Sequence, residues 1–492
     1  MPLEPARGVF DLDLNHRYLQ LRRTKIVATI GPASSSPVML RRLILGGLDV
    51  ARINFSHGKV EEHIATIRLL RRTAASLGRS VAILGDLCGP KIRVGEFETG
   101  SILLKEGSVV TITTRPVVGR EGLIPSQYKN LVREVRPGHR VLLDDGNLEL
   151  EVVRKFADRV TALVVRGGVL KNKKGMNLPN TELRIPALTA KDKADALACI
   201  KGGVDYLALS FVRKPKDVAD LKGFLARRRA AIPVIAKIEM PEALTNIKAI
   251  MDLSDGIMVA RGDLGVELPA KKVPIIQSKL IALAIASKKP VIVATQMLES
   301  MIEHSRPTRA EVTDVASACM AGADAVMMSA ETASGKYPGE SLEMMDSILR
   351  ETEAYRFFSR GGAFGEKTLE PAQGLSAAVG VAAAQLSRDL AARCVFTLTT
   401  SGYTARMISA DRPAAPILAF TPSEAVARRM HLLWGVYPFP GGKRLSVKDC
   451  LALGQRTAKR LGLAKKGEIV LAISGLRGVG GKDAAVTVHK IG

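Results

Sequence analysis

Short apolar runs that end in a polar or charged cluster recur along the chain, at Lys25–Ile30, Val50–Asn54, Val81–Asp86, Tyr206–Phe211, Val234–Glu239, Gly256–Ala260, Val291–Thr295 and Ala325–Ser329. Runs of this length and continuity predict strands buried on both faces. Between most of them the apolar positions repeat at helical spacing, as in Val38–Leu45, Glu61–Leu77 and Val273–Ser287. The order is therefore strand, helix, strand, helix, and eight such units predict an α/β fold built on a (β/α)8 TIM barrel. The units follow closely except between Asp86 and Tyr206, where something is inserted.

The insert has another texture. Val109–Thr113, Arg140–Leu143, Leu148–Val153 and Val160–Val165 alternate or run apolar between turn signals such as Asp145-Gly146 and Arg166-Gly167-Gly168, which predicts a small all-β unit, a β-barrel acting as a lid. Helical sequence continues to Tyr355, Gly361–Gly365 reads as a linker, and strand candidates Val395–Leu398, Ile417–Phe420, Ile469–Ile473 and Val486–His489 mark a C-terminal α/β unit. The expected plan is an N-terminal segment 1–22, a barrel at 23–88 and 186–355, an inserted domain at 89–185 and a C-terminal domain at 366–492. A chain of 492 residues accommodates three cores of ordinary size.

Composition narrows the class. No apolar run approaches the ~18 residues needed to span a bilayer, and Met1–Thr24 lacks an apolar signal core. The five cysteines are odd in number, scattered and never in a CxxC pair, which favours a reducing cytoplasm over a disulfide framework. A net charge of +24 admits nucleic acid, an anionic membrane or phosphorylated small molecules as partners. Aromatic residues are only 4% of the chain, too few for a nucleic-acid stacking surface, so a nucleic-acid scaffold is the minor reading. The charge is uneven, with 18 basic against 8 acidic side chains in residues 361–492.

Barrel enzymes place their chemistry where strands end. Here the second strand ends Arg52-Ile53-Asn54-Phe55-Ser56-His57, the fifth Lys237-Ile238-Glu239, the sixth Arg261-Gly262-Asp263 and the eighth Ser329-Ala330-Glu331. Buried charges cost several kcal/mol unless paired or metal-bound, so four charged rims are not a packing accident. Glu239 and Asp263 supply the oxygen ligands that Mg2+ or Mn2+ takes, and the cations beside them suit a phosphorylated anion. An acid–base carboxylate pair, as in glycoside hydrolysis, leaves Arg52, Arg93 and Lys237 without a role. Metal-assisted phosphoryl transfer or enolate stabilisation is the better reading.

At these residues the sequence resembles the pyruvate kinase family, through TKIVATIGPAS (Thr24–Ser34), ARINFSHG (Ala51–Gly58), NKKGMNLP (Asn172–Pro179), IAKIEM (Ile235–Met240), DGIMVARGDLG (Asp255–Gly265), VATQMLESM (Val293–Met301), RPTRAE (Arg306–Glu311) and VMMSAETASG (Val326–Gly335). The resemblance implies phosphoryl transfer from phosphoenolpyruvate to ADP, giving pyruvate and ATP, by a cytoplasmic homotetramer with no nucleic-acid or membrane partner. It assigns Glu239 and Asp263 to the divalent metal, Lys237 to charge neutralisation on the moving phosphoryl and the enolate, and Arg52, Arg93 and Lys174 to phosphates. Gly262, Asp263 and Thr295 fall at substrate-contacting positions, with Thr295 where the enolate carbon gains a proton, and Ser329 and Glu331 where a proton-carrying water is ordered. Asn54 and His57 belong to the nucleotide-side motif; a packing role accounts for His57 equally well. Another phosphoenolpyruvate-using barrel enzyme, such as a mutase or dikinase fragment, is disfavoured by the insert and by ARINFSHG.

One departure bears on cations. Many members hold K+ at positions matching Asn54, Ser56, Asp86 and Leu87 and carry Glu in the following Gly-Pro-Glu-Ile-Arg stretch, which here reads Gly89-Pro90-Lys91-Ile92-Arg93. A lysine ammonium supplies the same fixed charge, so Lys91 implies activity without K+; a solvent-facing lysine is the plain alternative. In the C-terminal unit, Thr399, Ser401, Gly402 and Thr404 match the family's effector loop, a site for a phosphorylated effector with Arg477 nearby, although a plain helix cap explains the same residues.

Overall fold

The computed structural model describes residues 21–179, 181–358, 375–441, 447–474 and 485–492. Its centre is a closed barrel of eight parallel strands, Lys25–Thr29, Val50–Asn54, Ala82–Leu87, Tyr206–Leu209, Val234–Ile238, Gly256–Ala260, Val291–Ala294 and Ala325–Met328, each hydrogen-bonded to the next and the eighth to the first. Each lies within two residues of the run that predicts it. The strands read as unbroken apolar runs because both faces are covered: Val27, Leu84, Tyr206, Ile235, Met258 and Ile292 fill the interior, while alternate residues pack against the surrounding helices.

A repeated device fixes the barrel floor. Asp49, Asp205, Asp255 and Asp324 each stand just before an even-numbered strand, and each carboxylate accepts the N–H at or near the start of the preceding odd-numbered strand: Ile26 at 2.9 Å, Ile83 at 2.8 Å, Val234 at 2.8 Å and Val291 at 3.0 Å. An edge donor that would otherwise be orphaned is satisfied. Each carboxylate also faces a cation, Arg22 for Asp49, Arg71 and Arg428 for Asp205, Lys222 for Asp255 and Arg412 for Asp324.

The chain leaves the barrel after the third strand through Gly89, whose φ of +67° and close approach to Phe211 admit no side chain. The insert is a curled six-stranded sheet, ordered Met176–Asn177, Arg140–Leu143, Leu148–Lys155, Arg159–Arg166, Val109–Thr113 and Leu123–Pro125, with a second two-stranded sheet of Ser101–Leu104 and Gly168–Lys171. It encloses its own apolar core around Val94, Ile112, Leu150 and Val164. The C-terminal unit is a five-stranded sheet ordered Val436–Pro440, Ile417–Thr421, Val395–Leu398, Ile469–Ser474 and Ala485–Lys490, parallel except for the last strand. The strand Val436–Pro440 escapes sequence reading because Pro438 and Pro440 forbid it a central place; it is an edge strand, where missing N–H groups cost nothing. The anticipated linker Gly361–Gly365 lies outside the described residues. Among the described residues, no helix is long and apolar enough to cross a membrane.

The floor joins the two large units. Arg412 and Asp324 are each under 5% exposed, 2.9 Å apart, and Lys25 is buried with its Nζ on the carbonyl of Val436 at 2.7 Å. Breaking a buried pair by removing one partner costs about 3–5 kcal/mol. Arg412→Met is accordingly expected to lower stability by about 3 kcal/mol or more, read as the free energy of the denaturant transition that exposes Trp434, whose N–H lies on Asp324; an unchanged transition would refute the pairing's importance.

Candidate active site

The strand ends converge. Asp86, at the end of the third strand and 1% exposed, takes Nε of Arg52 from the second at 2.7 Å and lies 3.4 Å from Nζ of Lys237 on the fifth. Lys237 Nζ also lies 2.8 Å from Oε1 of Glu239 and donates to Oγ of Ser210 at 2.7 Å. Ser210 in turn donates its hydroxyl hydrogen bond to the carbonyl of Leu87 at 2.7 Å. Phe211, held at φ +55°, turns its N–H onto Oε2 of Glu239 at 2.7 Å. Arg52 completes the group by donating to Oγ1 of Thr29 at 3.0 Å.

Electrostatics follow from this geometry. Burial works against the charge on Asp86, but Lys237 and Arg52 outweigh it and hold the carboxyl below its ordinary range. Burial likewise opposes the Lys237 ammonium, and Asp86 with Glu239 more than compensates, raising its pKa. Glu239 goes the other way, pushed up by burial and by Asp263 against the pull of Lys237. One ammonium shared between two carboxylates cannot fully compensate both. The cluster holds Arg52 and Lys237 against Asp86, Glu239 and Asp263, an excess of one negative charge. Oε1 of Glu239 is buried and accepts no hydrogen bond of good angle, despite its contact with Lys237. A carboxylate pair of this kind fits a hard divalent cation. No group of three or more His, Cys, Asp or Glu forms a metal cage among the described residues, so an ion here would draw further ligands from substrate and water.

Thr295, following the seventh strand, accepts the N–H of Gly262 at 2.8 Å and donates to the carbonyl of Ala294 at 2.6 Å. Glu331 is buried, and both its oxygens accept backbone N–H groups, from Ser329 at 2.6 Å and Leu298 at 3.2 Å. It anchors two loops, and burial raises its pKa. Asn54 Oδ1 accepts the N–H of Ser56 at 3.1 Å, closing the turn after the second strand. His57 is exposed; partial burial, then Arg93, Lys91 and Arg52, keep its imidazole below its ordinary pKa, which places a basic rim around it.

The insert faces this rim. Lys91, Asp145 and Asn177 line a cleft with Asp263 and Glu267 of the barrel. Arg93 donates to the carbonyl of Lys173 at 3.0 Å, and Lys174 is paired with Asp144 at 2.7 Å inside the insert rather than with the rim. Lys91 is exposed and makes no ion pair among the described residues. In the C-terminal unit, Thr399 Oγ1 accepts the N–H of Gly402 at 2.9 Å, Ser401 is exposed and Thr404 buried at the start of the helix Tyr403–Ala410. Arg477 lies outside the described residues.

Two participants escape sequence reading. Ser210 had a signal, a polar residue at the end of the fourth strand like its counterparts on four others. Glu267 had none: it is buried, and its partner, Asn177 of the insert, meets it only through folding, with Nδ2 2.8 Å from Oε1. Its Oε2 accepts no hydrogen bond, and burial pushes its pKa up to about 7.

Fold and rim together define a barrel enzyme that handles a phosphorylated anion with a divalent cation. Profiles of the pyruvate kinase barrel domain and of the pyruvate kinase alpha/beta domain match residues 21–342 and 377–489. The chain is 44% identical over 474 residues to the pyruvate kinase of Geobacillus stearothermophilus, covering 96% of this chain and 80% of that one. It is 44% identical over 481 residues to pyruvate kinase 2 of a Synechocystis species, covering 96% and 79%. A crystal structure of a pyruvate kinase from Cryptosporidium parvum superposes with a TM-score of 0.91 at 33% identity over the whole of both chains. The chain belongs to the pyruvate kinase family, whose members use a divalent metal to convert phosphoenolpyruvate and ADP into pyruvate and ATP in glycolysis.

Two expectations follow. Ser210→Ala removes an acceptor from the Lys237 ammonium, a charged hydrogen bond worth about 1.5–3 kcal/mol, so kcat should fall roughly ten- to hundredfold with the fold intact by circular dichroism; an unchanged kcat excludes the contact. For Glu267, a raised carboxyl pKa means that seating the insert is unopposed below the ordinary carboxylate range and increasingly opposed as pH rises from there to about 7, above which the opposition is constant. Hydrogen exchange at Met176–Asn177, corrected for intrinsic rate, should quicken between about pH 5 and 7 and level off above, and Glu267→Gln should flatten that dependence.

Proposed function

We propose that this pyruvate kinase works without K+, with Lys91 supplying the fixed positive charge, and that the rim residues divide the reaction as follows. Arg52, with Arg93 and Lys174 from the insert, holds phosphate oxygens, for which a planar guanidinium fork is suited. Lys237 neutralises charge on the phosphoryl group in flight and on the enolate left behind. The observation that carries this role is the ammonium fixed between Asp86, Glu239 and Ser210, preorganised before substrate arrives. Glu239 and Asp263 would hold a Mg2+ or Mn2+ ion, which would supply charge neutralisation to an anionic, phosphate-bearing substrate. The Gly262 backbone orients the Thr295 hydroxyl, which holds the proton destined for the enolate carbon. Ser329 orders water there, with Glu331 fixing the loop that carries it. Asn54 and His57 shape the nucleotide side.

Support for the Lys91 reading comes from its place in the cleft with Asp263 and from its influence on His57, both of which put its charge at the rim. Asp86, one of the positions matching the K+ site together with Asn54, Ser56 and Leu87, is already paired with Arg52 and Lys237. The loop Thr399–Thr404 is proposed to bind a phosphorylated effector: the Gly402 turn, at φ +84°, opens a helix N-terminus beside the exposed Ser401 hydroxyl. A cytoplasmic homotetramer with the domain limits given above completes the proposal; five free cysteines agree with a reducing compartment.

A lactate-dehydrogenase-coupled assay in tetramethylammonium buffer tests it. Activity should persist without K+, and Lys91→Glu should create a K+ requirement; loss of most native activity that K+ restores would overturn the reading. In the same assay, a sugar phosphate or AMP should shift phosphoenolpyruvate saturation, and no shift with any of them removes the effector site.

A further inference from the structure

Arg261 stands at the rim beside Gly262 and Asp263, yet it has no role in the chemistry above. Its guanidinium is about 10% exposed and every N–H it owns is spent. Nε donates to the carbonyl of Ala294 at 3.3 Å; one terminal nitrogen donates to the carbonyls of Thr295 at 2.5 Å and Gln296 at 3.2 Å; the other donates to Oδ2 of Asp314 at 2.5 Å and Oε1 of Gln277 at 3.4 Å. A guanidinium has five N–H donors, so none is left for a phosphate.

The three carbonyls belong to a strained turn. Thr295 lies at φ +69° and Gln296 at φ +54°. A β-branched residue is a genuine outlier there, and such residues persist only where their surroundings over-determine them. The strain changes where the Thr295 hydroxyl points. An extended seventh strand would carry the side chain onward along the barrel, whereas the left-handed turn brings Oγ1 back to the N–H of Gly262 at 2.8 Å, the residue after Arg261. The turn and the helix Arg261–Glu267 are thus stitched in both directions. Asp314 from the helix Arg309–Ala321 and Gln277 from the helix Val273–Ala286 aim the guanidinium from behind.

We propose that Arg261 is the positioning residue for Thr295, clamping the Ala294–Gln296 turn so that the hydroxyl is presented for proton delivery. The inference rests on the reading of Thr295 given under the proposed function. Lysine at 261 keeps the charge but replaces a planar fork by a point charge that cannot span three carbonyls and a carboxylate at once.

A double-mutant cycle separates the two readings. Arg261→Lys should lower kcat about ten- to a hundredfold with the phosphoenolpyruvate KM changed less than about twofold, and should slow enzyme-catalysed exchange of the pyruvate methyl protons in parallel. In a Thr295→Ala background the same substitution should cost less than about twofold more, because residues acting as a unit are not additive. Full activity in Thr295→Ala alone would overturn the Thr295 reading. Loss of activity in Thr295→Ala, with Arg261→Lys costing as much there as in the native chain, would overturn the role of Arg261 and leave it a packing residue. An undiminished kcat in Arg261→Lys would also overturn it. Asp314→Asn, which releases one side of the guanidinium without touching the turn, should give the same pattern at smaller size; it supplies the cycle if the lysine variant does not fold, and additivity with Thr295→Ala there counts against the proposal.

Discussion

Everything at the charged rim of the barrel depends on keeping charged groups out of water without letting them neutralise one another. Lys237 solves this by sitting between Asp86 and Glu239, with Ser210 accepting a further hydrogen bond from it. Two carboxylates from different strands meet one ammonium because the third and fifth strands lie on either side of the fourth. Since one cation serves two anions, Asp86, which has Arg52 as well, keeps its charge easily, while Glu239 is left pressing for more positive charge. An excess of negative charge beside a buried carboxylate oxygen that accepts no hydrogen bond suits a divalent ion.

The opposite end of the same strands answers a different constraint. Aspartates before the even-numbered strands hold the starts of the odd-numbered ones, and cations hold the aspartates. The pattern repeats four times around the floor with no substrate to explain it. It lets the rim be strained and underneutralised, since strand register is fixed elsewhere. Strain at Thr295 and Gln296 is affordable in the same sense: the turn lies on a frame whose geometry it does not have to determine.

The eight barrel strands were legible because burial on both faces writes them as continuous apolar runs, and the polar residues that break those runs mark the rim. Val436–Pro440 was not legible, because an edge strand with two prolines carries the signature of a loop. Ser210 was visible in principle and overlooked, being neutral among charged neighbours. The floor aspartates were also visible, as a recurring Asp before Val50, Tyr206, Gly256 and Ala325, but a four-fold repeat of one residue is hidden by the variable helices between. Arg261 shows the opposite limit. Its residue type suggests a phosphate ligand; only the three carbonyls of another strand, brought to it by the fold, reveal that its donors are spent.

The floor also accounts for part of the basic excess in the C-terminal unit. Arg412 pairs with Asp324 and Arg428 with Asp205, so the barrel presents carboxylates and the C-terminal unit answers with guanidinium groups. Lys288 with Asp411 runs the other way, which argues for complementarity at individual contacts rather than a simple attraction between an acidic and a basic body. Tyr206 strengthens the point: its ring fills the barrel interior while its hydroxyl donates to the carbonyl of Arg429 at 2.7 Å. A strand whose far end carries Ser210, and with it Lys237, is thus anchored at its near end to the C-terminal unit. Any shift of that unit is therefore felt along the fourth strand, which ends at Ser210, the acceptor of the Lys237 ammonium.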